Sequence, residues 1–379
     1  MKIFQLTTFF HPVVGGVESH VNSLAEQLIG MGHEVTVLTS DSTKKGPRIK
    51  GRRSKLGDIE IVRFRNLLNL SYFHKFFPGV FFYLMRNDFD VIHVHGFRKS
   101  ESILALLAAK LKKKKIVLTT HNPFPVGTRS RMLDAMIKLM DVFINKRFTK
   151  NFDKIITLVK SERKILHEEY NVPDEKMVTI PNGMEEMFLQ QGDEEVFYRD
   201  LDIDVTKWDA VALGVGRINY VKGYQNLELA INRLKKVLFV FAGGDDGYLD
   251  KLKKQYRKNK NVIFTESFVP QEKLVDYYKG GDIFLFPSLH EAFGIVVLEA
   301  LAQGLPVISS DQGGPKEFLS EKYSVLLDPE DQEGWKNAIE KLTSDSKLLE
   351  QMSVAGMNEV KKYSWDKVSK KILAVYESL

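Results

Sequence analysis

The chain contains no cysteine among its 379 residues, so disulfide bonds and thiolate metal sites are excluded. It also lacks any run of about twenty apolar residues, the length that a membrane-spanning helix requires. The apolar stretch at the N-terminus is short and polar residues follow it at once, which is not the pattern of a secretory signal. We therefore expect a soluble cytoplasmic protein.

Two common nucleotide-binding motifs are missing as well. A predicted strand at Lys2–Thr7 leads into Gly15 and Gly16, and an amphipathic helix is predicted at Gly16–Gly30. Paired glycines let backbone N–H groups approach a ligand closely. Their spacing is not that of the dinucleotide-binding fingerprint, and no P-loop lysine follows. A plain dehydrogenase or nucleoside triphosphatase is therefore disfavoured.

Two glutamates, Glu291 and Glu299, lie eight positions apart around Gly294. The residues at 282–287 predict a short buried strand, and the apolar pattern that starts at Ile295 predicts a helix. The unpaired N–H groups at the start of such a helix suit hydroxyls and phosphate oxygens. Two glutamates at this spacing are more commonly solvated charges, so the pair requires support from other residues.

A glycine-flanked loop that carries Arg217 and Lys222 follows a predicted strand at 209–213. Both long side chains can converge on one anion that carries at least two charges, and a diphosphate fits that description. Taken alone, a basic loop is equally consistent with a solvated surface.

Strand and helix patterns alternate along the whole chain, which predicts an α/β protein with parallel sheets. The length allows two domains, each with its own core. We expect domains at 1–183 and 184–362, followed by a C-terminal helix at 363–379. The predicted strands of the first half are Lys2–Thr7, Glu34–Thr39, Val91–Val94, Ile116–Thr120 and Lys154–Leu158. Those of the second half are Asp209–Leu213, Val237–Ala242, Val262–Thr265, Ile283–Phe286 and Pro306–Ser309.

Five motifs occur in the order that is typical of one enzyme family. They are Gly15-Gly16, Pro181-Asn182-Gly183, the loop Gly216–Gly223, the pair Glu291 and Glu299, and Gly313-Gly314-Pro315-Lys316-Glu317. With them the chain resembles the GT-B glycosyltransferases of family 4, which are retaining enzymes with a nucleotide-sugar donor. The resemblance implies two Rossmann-like, doubly wound parallel-sheet domains that face each other across a cleft, with the last helix crossing back to the first domain. It implies no metal and no cofactor, the nucleotide-sugar being a co-substrate.

The resemblance also implies a role for each motif residue. Breaking a glycosyl phosphate bond requires stabilisation of the departing diphosphate and of an oxocarbenium-like centre. The implied diphosphate contacts are Arg217, Lys222 and the backbone of Gly15 and Gly16. The implied contacts of the donor sugar are His121, Glu291 and the backbone of Phe293, Gly294 and Ile295. Glu299 would bind the ribose, and the backbone at Phe268 and Val269 would meet the base. Backbone contacts do not reveal the base, so UDP, GDP and ADP stay open, with UDP- or GDP-sugars expected first. Ala292 stands where the family more commonly has glycine.

Histidines allow two interpretations. His121 ends a predicted strand, where a ligand contact and a structural role are equally consistent. His93 and His95 point to one face of a strand and could mimic metal ligands. Because no third ligand is evident and the resembled family needs no metal, we assign this pair to the fold.

The charge is uneven. Residues 1–170 contain 29 Lys+Arg and 15 Asp+Glu, so this part carries about +14 in a chain of net charge +6. A basic loop at 44–55 and an aromatic segment at 72–83 have the composition of a membrane interface. The alternatives are that Phe81, Phe82 and Leu84 belong to the core, and that the lysines at 112–115 only end a helix. Nucleic acid is disfavoured because no binding motif accompanies the charge.

The sequence therefore predicts a hexosyltransferase that acts on a hydroxyl acceptor, such as a lipid, a lipid-linked glycan or another anionic glycan. Peripheral contact with the inner face of an anionic membrane is a further hypothesis. Two alternatives stay open, a nucleotide-sugar epimerase of the same architecture and a non-catalytic nucleotide-sugar-binding protein. The requirement for an acceptor distinguishes them.

Overall fold

The computed structural model describes residues 1–44, 46–69, 75–121 and 145–379. The chain divides into two compact units, unit 1 with residues 1–183 and 365–379, and unit 2 with residues 184–364. The helices of the described residues are α1 (Gly16–Gly30), α2 (Gly79–Arg86), α3 (Ser100–Lys112), α4 (Lys146–Thr149), α5 (Lys160–Tyr170), α6 (Glu194–Asp200), α7 (Glu228–Arg233), α8 (Leu249–Tyr256), α9 (Gln271–Lys279), α10 (Ile295–Ala302), α11 (Gln332–Ser344), α12 (Ser346–Val360) and α13 (Trp365–Glu377).

The strands of unit 1 are β1 (Lys2–Thr7), β2 (Glu34–Ser40), β3 (Arg53–Leu56), β4 (Ile59–Phe64), β5 (Leu68–Asn69), β6 (Lys75–Phe76), β7 (Val91–His95), β8 (Lys115–Thr119), β9 (Lys154–Thr157) and β10 (Met177–Thr179). Those of unit 2 are β11 (Ala210–Val215), β12 (Val237–Ala242), β13 (Val262–Phe264), β14 (Ile283–Phe286), β15 (Val307–Ser310) and β16 (Ser324–Leu327).

The main sheet of unit 1 has the order β10-β9-β8-β7-β1-β2-β4-β3. Its described strand pairs are parallel except β3 with β4, which are antiparallel. Side chains alternate between the two faces of a strand, so the central strand β1 contributes to two cores. Phe4 and Leu6 pack with residues of α2 and α3, while Ile3 packs on the other face with residues of α1 and α13. This explains why the central strands are apolar at nearly every position.

Unit 2 has a sheet of the order β13-β12-β11-β14-β15-β16, in which all pairs are parallel. The chain first proceeds outward from β11 to β13 and then returns to the other side of β11 with β14. Because the connections run in opposite directions on the two sides of β11, the carboxyl ends of β11 and β14 form the strand reversal, which is where open parallel sheets bind their ligands. In unit 1 the same reversal lies between β1 and β7.

The prediction of two parallel-sheet α/β domains is confirmed, and the predicted strands are present with ends that differ by at most two residues. The sequence analysis missed β3, β4, β10 and β16, and also the two-residue strands β5 and β6. It also described 44–55 as a loop, which is wrong for its last residues because Arg53–Leu56 forms the edge strand β3. Three of these four side chains are exposed, so the strand carries no apolar alternation. In the aromatic segment at 72–83, positions 72–74 lie outside the described residues, and the segment ends inside α2 rather than in a loop.

Within the described parts of the chain, helices that combine the length and the apolar character of a membrane span are absent.

Candidate functional site

Two loops meet at the strand reversal of unit 2, one after β11 and one after β14. The amide of Leu289 donates to the carbonyl of Val221 at 2.8 Å, which joins them directly. Gly223 has a φ of 74°, and a Cβ atom at this position would lie 1.8 Å from the carbonyl oxygen of Pro287. Only glycine combines this conformation with so close an approach. The glycine that ends the basic loop therefore brings the loop against the strand that carries the glutamate motif.

Lys222 and Glu291 form an ion pair across these loops. The Lys222 Nζ lies 2.7 Å from Glu291 Oε2, and the two side chains are only 17% and 23% exposed. The lysine stem passes over the backbone of Gly216, and its ammonium lies 5.0 Å from the centroid of the Phe286 ring. Burial alone would raise the pKa of Glu291, but the Lys222 charge and the Ala292 amide together hold it below its ordinary value. Glu291 is thus an ionised carboxylate within a largely desolvated pair.

Close backbone contacts explain why both positions of the Gly313-Gly314 run are glycine. A Cβ atom on Gly313 would lie 2.2 Å from the carbonyl oxygen of Glu291, and one on Gly314 would lie 1.9 Å from that of Ala292. The Gly314 amide donates to the Glu291 carbonyl at 2.9 Å. These two glycines therefore hold the backbone of the glutamate in place.

The helix α10 begins where the sequence predicted, after Gly294 in the left-handed conformation with φ 81° and ψ 58°. The first N–H groups of α10, which include that of the half-buried Ile295, have no partner within the helix by geometry. Phe293 is buried, with its ring 5.1 Å from that of Phe318. This arrangement points the positive end of the α10 dipole toward the loop that carries Glu291.

Glu299 lies in α10 and is only 6% exposed. The Tyr278 hydroxyl donates to Glu299 Oε2 at 2.7 Å. Burial raises the pKa of Glu299 to about 7, although the tyrosine hydrogen bond opposes the shift. The two glutamates of the motif therefore have opposite electrostatic environments, since Glu291 faces a cation and Glu299 does not.

Arg217 leaves the same loop as Lys222 but has a different partner. Its Nη1 lies 2.9 Å from Asp246 Oδ2, and the side-chain Nδ2 of Asn219 donates to the same oxygen at 3.1 Å. Each of the two cations is therefore matched with its own carboxylate. The sequence analysis missed Asp246, although it follows β12, the neighbour of β11, and this adjacency could have identified it.

The segment with the predicted base contacts follows β13. Phe268 is 67% exposed and Val269 is buried. The loops after β11 and β12 are in close contact, because a Cβ atom on Gly243 would lie 2.0 Å from the carbonyl oxygen of Gly216. The next residue, Gly244, is close to the loop after β13, because a Cβ atom on Gly244 would lie 3.3 Å from the backbone nitrogen of Phe268. The loops after three neighbouring strands thus form one continuous edge.

In unit 1, the glycine turn lies at the start of α1. The Lys44 ammonium donates to the carbonyl of Val14 at 2.7 Å and lies 3.4 Å from Glu18 Oε2. A Cβ atom on Gly15 would collide with both side chains. The turn before Gly16 is therefore lined by a lysine of the basic segment, which the sequence analysis had placed in a separate loop.

Histidine side chains gather near the strand reversal of unit 1. His95 ends β7, His121 follows β8 by two residues, and His20 lies on α1. Nitrogen atoms of the three rings lie within 4.8 Å of one another. The sequence analysis assigned His93 and His95 to the fold and found no third ligand for that pair; in the structure His20 and His121, rather than His93, share a cluster with His95. They come from distant segments, so only the strand order could have revealed the cluster.

The hydrogen bonds of this cluster have a definite direction. His95 Nε2 lies 2.5 Å from Gln5 Oε1, an amide oxygen that can only accept, so this nitrogen donates. His95 Nδ1 then accepts from His121 Nε2 at 3.0 Å. His93 instead contacts the Tyr376 hydroxyl of α13 at 2.6 Å and Thr119 Oγ1 at 2.7 Å.

His20 is the member of the cluster with an unsatisfied atom. Its Nδ1 lies 2.9 Å from Asn182 Oδ1, but its buried Nε2 has no hydrogen-bond partner among the described residues. Burial lowers the pKa of His20 to about 4 and that of His95 and His121 well below the ordinary value. A buried polar atom without a partner costs roughly 1–3 kcal/mol, so it calls for an explanation.

A basic and apolar surface surrounds α2. Phe82 and Met85 are 54% and 38% exposed, whereas Leu84 is buried and Phe81 is half-buried. The core interpretation of the sequence thus holds for Leu84 and is wrong for Phe82. A groove of about 800 Å³ beside Phe82 is lined by three arginines, Arg52, Arg53 and Arg86.

Comparison with known proteins identifies the two units. The family described as Glycosyltransferase Family 4 matches residues 14–186, and that described as Glycosyl transferases group 1 matches residues 202–359. Uncharacterized glycosyltransferase MJ1607 of Methanocaldococcus jannaschii is 28% identical over 100% of this chain and 98% of its own length. The GPI3 subunit of phosphatidylinositol N-acetylglucosaminyltransferase of Saccharomyces cerevisiae is 26% identical over 100% of this chain and 83% of its own length. D-inositol 3-phosphate glycosyltransferase of Corynebacterium diphtheriae is 26% identical over 96% of this chain and 89% of its own length.

Solved structures share the fold over the full chain. Sucrose-phosphate synthase of Thermosynechococcus elongatus superposes with a TM-score of 0.78, at 20% identity over 99% of this chain and 98% of its own. Anabaena Alr3699/HepE in complex with UDP superposes with a TM-score of 0.77, at 18% identity over 100% of both chains.

Proposed function

Since the chain belongs to the GT-B glycosyltransferases of family 4, we propose that it is a retaining hexosyltransferase, which moves a sugar from a UDP- or GDP-sugar to a hydroxyl group of an acceptor. The observation that carries this proposal is the Lys222–Glu291 pair, which lies at the strand reversal of unit 2 beside the N-terminus of α10. This is the place where open parallel sheets bind nucleotides.

The pair can serve the donor on both sides of the bond that breaks. An ammonium has three N–H donors, and Lys222 gives one of them to Glu291, so the others can bind phosphate oxygens. Fixed cations at the departing diphosphate stabilise the charge that develops there. Arg217 would add a second cation after exchanging Asp246 for a phosphate. Arginine suits this role because its fork matches phosphate geometry.

Glu291 would act on the sugar. Its lowered pKa keeps the carboxylate ionised, and an ionised carboxylate favours an oxocarbenium-like transition state. Among the described residues, its Oε1 accepts a hydrogen bond only from the Ala292 amide, at 3.1 Å, which leaves acceptor capacity for a sugar hydroxyl. In the proposed reaction, the departing phosphate takes the acceptor proton on the same face of the sugar, and the configuration at the anomeric carbon is retained.

The remaining donor contacts follow the family resemblance. The backbone of Phe293, Gly294 and Ile295 would bind sugar hydroxyls, and Glu299 would bind the ribose. The backbone at Phe268 and Val269 would meet the base. UDP is the first nucleotide to test, because Anabaena Alr3699/HepE was solved in complex with UDP and with UDP-glucose. The donor contacts implied for His121, Gly15 and Gly16 remain predictions.

We further propose that the acceptor is a hydroxyl compound that is anionic or lipid-linked, and that unit 1 is the domain that binds it. Two relatives carry phosphatidylinositol or inositol 3-phosphate in their names. The groove that Arg52, Arg53 and Arg86 line offers cations for a phosphate, and the exposed Phe82 beside it offers apolar contact with a lipid. Basic and aromatic side chains together favour the interface of an anionic membrane.

The test is a transfer assay with UDP- and GDP-sugars, run with and without phosphatidylinositol or inositol phosphate. We expect sugar transfer only when an acceptor is present, and an anomeric NMR signal of the product with the configuration of the donor. Turnover of the sugar nucleotide without any acceptor would support the epimerase alternative, and an inverted product would contradict retention.

A further inference from the structure

We propose that His20, His95 and His121 form a binding site for one divalent transition-metal ion, with Zn²⁺ as its preferred occupant. The donors of three imidazoles lie within 4.8 Å of one another in unit 1. Zinc–nitrogen bonds of 2.0–2.1 Å in a tetrahedral site separate the ligand atoms by about 3.4 Å. The closest pair, His95 Nδ1 and His121 Nε2, is already at 3.0 Å. Small rotations of the rings would complete the set.

The unsatisfied nitrogen of His20 is the first argument for a ligand. Its Nδ1 is occupied by Asn182, so the atom that remains available is Nε2, which is buried and has no partner among the described residues. The ring packs edge-on against that of His121, with centroids 4.7 Å apart. A metal ion between the rings would give the Nε2 lone pair a partner that the protein itself does not supply.

The second argument is the set of partners behind the ligands. Metal-binding histidines usually donate their other N–H group to a carboxylate, a carbonyl group or water, which fixes the ring and its tautomer. His20 has this arrangement through Asn182 Oδ1, and His95 has it through Gln5 Oε1 at the far side of the ring. In both rings one nitrogen is thus held by an amide oxygen, and the other nitrogen is the one that the ion would use. His121 would ligate through Nε2 in its other tautomer, replacing its present hydrogen bond to His95.

The choice of metal follows from the donors. Imidazole nitrogen suits zinc, copper, iron and nickel, whereas magnesium and calcium require oxygen ligands. Three protein ligands are also the number found in zinc sites that keep a fourth position for water or an anion. This differs from the expectation of the sequence, in which His93 and His95 were the only pair and no metal was implied.

Metal binding would have a consequence for the reaction. An ion at this site occupies Nε2 of His121, so zinc would inhibit transfer. This consequence rests on the proposed contact of His121 with the donor, whereas the binding site itself does not.

The direct test is calorimetric titration of Zn²⁺ into the full chain after treatment with a chelator, with metal content checked by mass spectrometry. We expect one Zn²⁺ per chain and no comparable binding of Mg²⁺. His20→Gln and His95→Gln should each weaken zinc binding by at least 100-fold, and Asn182→Ala by about 10- to 100-fold, as for other residues that orient a ligand. The control is His167→Gln on the surface of α5, which should bind zinc like the unmodified chain.

Absence of stoichiometric zinc binding, or equal affinity in the His20→Gln and His95→Gln variants, would overturn the proposal. Should those variants fail to fold, Co²⁺ added to the unmodified chain gives a second readout. We expect the visible absorption of a tetrahedral nitrogen-ligated ion, and an octahedral, weakly absorbing spectrum would contradict the site. Zinc that binds tightly without slowing transfer would disprove the inhibition and leave the site itself intact.

Discussion

The ammonium of Lys222 lies 2.7 Å from the carboxylate of Glu291, although 69 positions separate them in the sequence. The strand order of unit 2 produces this contact, because β11 and β14 are neighbours and the loops that follow them meet at the same edge. Gly223 allows the loop after β11 to contact Pro287 where no side chain would fit, and Gly313 and Gly314, in the loop after β15, make equally close contacts with the backbone of Glu291 and Ala292. The pair is the centre of the proposed donor site.

Removing either member of this pair should abolish most of the activity. We expect Lys222→Met and Glu291→Gln each to lower the transfer rate by roughly 10²- to 10³-fold, the usual effect of losing one electrostatic contact to a transition state. The double variant should be little worse than either single one, because the two residues act as a unit. A double variant whose loss of rate equals the product of the two single losses would contradict this view. Lys273→Ala is the matched control, since Lys273 is half exposed and its partner Asp200 belongs to none of the proposed donor contacts.

Asp246 should weaken donor binding, because it competes with the diphosphate for Arg217. We expect Asp246→Asn to tighten UDP binding by roughly two- to five-fold, which corresponds to an exposed ion pair, and Arg217→Ala to weaken it. Calorimetric titration of UDP measures both. Asp204→Asn removes another ion-paired carboxylate of unit 2, 47% exposed against 35% for Asp246, and should leave the affinity unchanged. Weaker UDP binding by Asp246→Asn would show that Asp246 supports the site.

Glu299 should make the stability of the protein fall as the pH rises. Its pKa is raised to about 7 in the folded chain, so the native state binds more protons than the unfolded state between about pH 4.5 and 7. The free energy of unfolding therefore decreases across this window, by at most about 3 kcal/mol. Glu299→Gln removes the titration and keeps an acceptor for Tyr278. Thermal unfolding at pH 5 and pH 8 should show a smaller decrease of Tm in the variant, and parallel decreases would contradict the prediction.

The arginine-lined groove should mediate contact with anionic membranes. Replacing Arg52, Arg53 and Arg86 by glutamate should lower binding to phosphatidylserine vesicles by at least about 100-fold, since each basic residue near such a surface contributes about 1 kcal/mol. Cosedimentation at low and high salt measures this, and the salt dependence should disappear in the variant. The same charge change at Lys254, Arg257 and Lys258 of unit 2 is the control. Equal loss in both variants would indicate attraction by overall charge alone.

Much of the fold was predictable because the central strands are continuous apolar runs. Residues Val237–Ala242 and Ile283–Phe286 are apolar at every position, and both strands occur as predicted. The edge strand Arg53–Leu56 is mostly exposed and pairs with β4 alone, so its sequence carries no signal of burial. Short edge strands such as Ser324–Leu327 are equally hard to detect, since the sheet rather than the local sequence holds them in place.

The residues of the candidate site were predictable individually, but their partners were not. Lys222 and Glu291 belong to motifs, whereas their contact depends on strand order. The same is true of Asp246, which contacts Arg217 from the next loop, and of the histidines of unit 1, which come from three separate segments. Loop adjacency at the ends of parallel strands is the information that a single sequence does not carry.

The most direct test of the donor site is calorimetric titration of UDP-, GDP- and ADP-sugars into the unmodified chain and into Lys222→Met, with Lys273→Ala as control. We predict that one nucleotide-sugar binds the unmodified and control chains at one site per chain, and that Lys222→Met loses at least about tenfold in affinity because a half-buried ammonium no longer meets the diphosphate. Equal affinity in Lys222→Met, with all three proteins folded, would contradict the assignment of the donor site to this edge of unit 2.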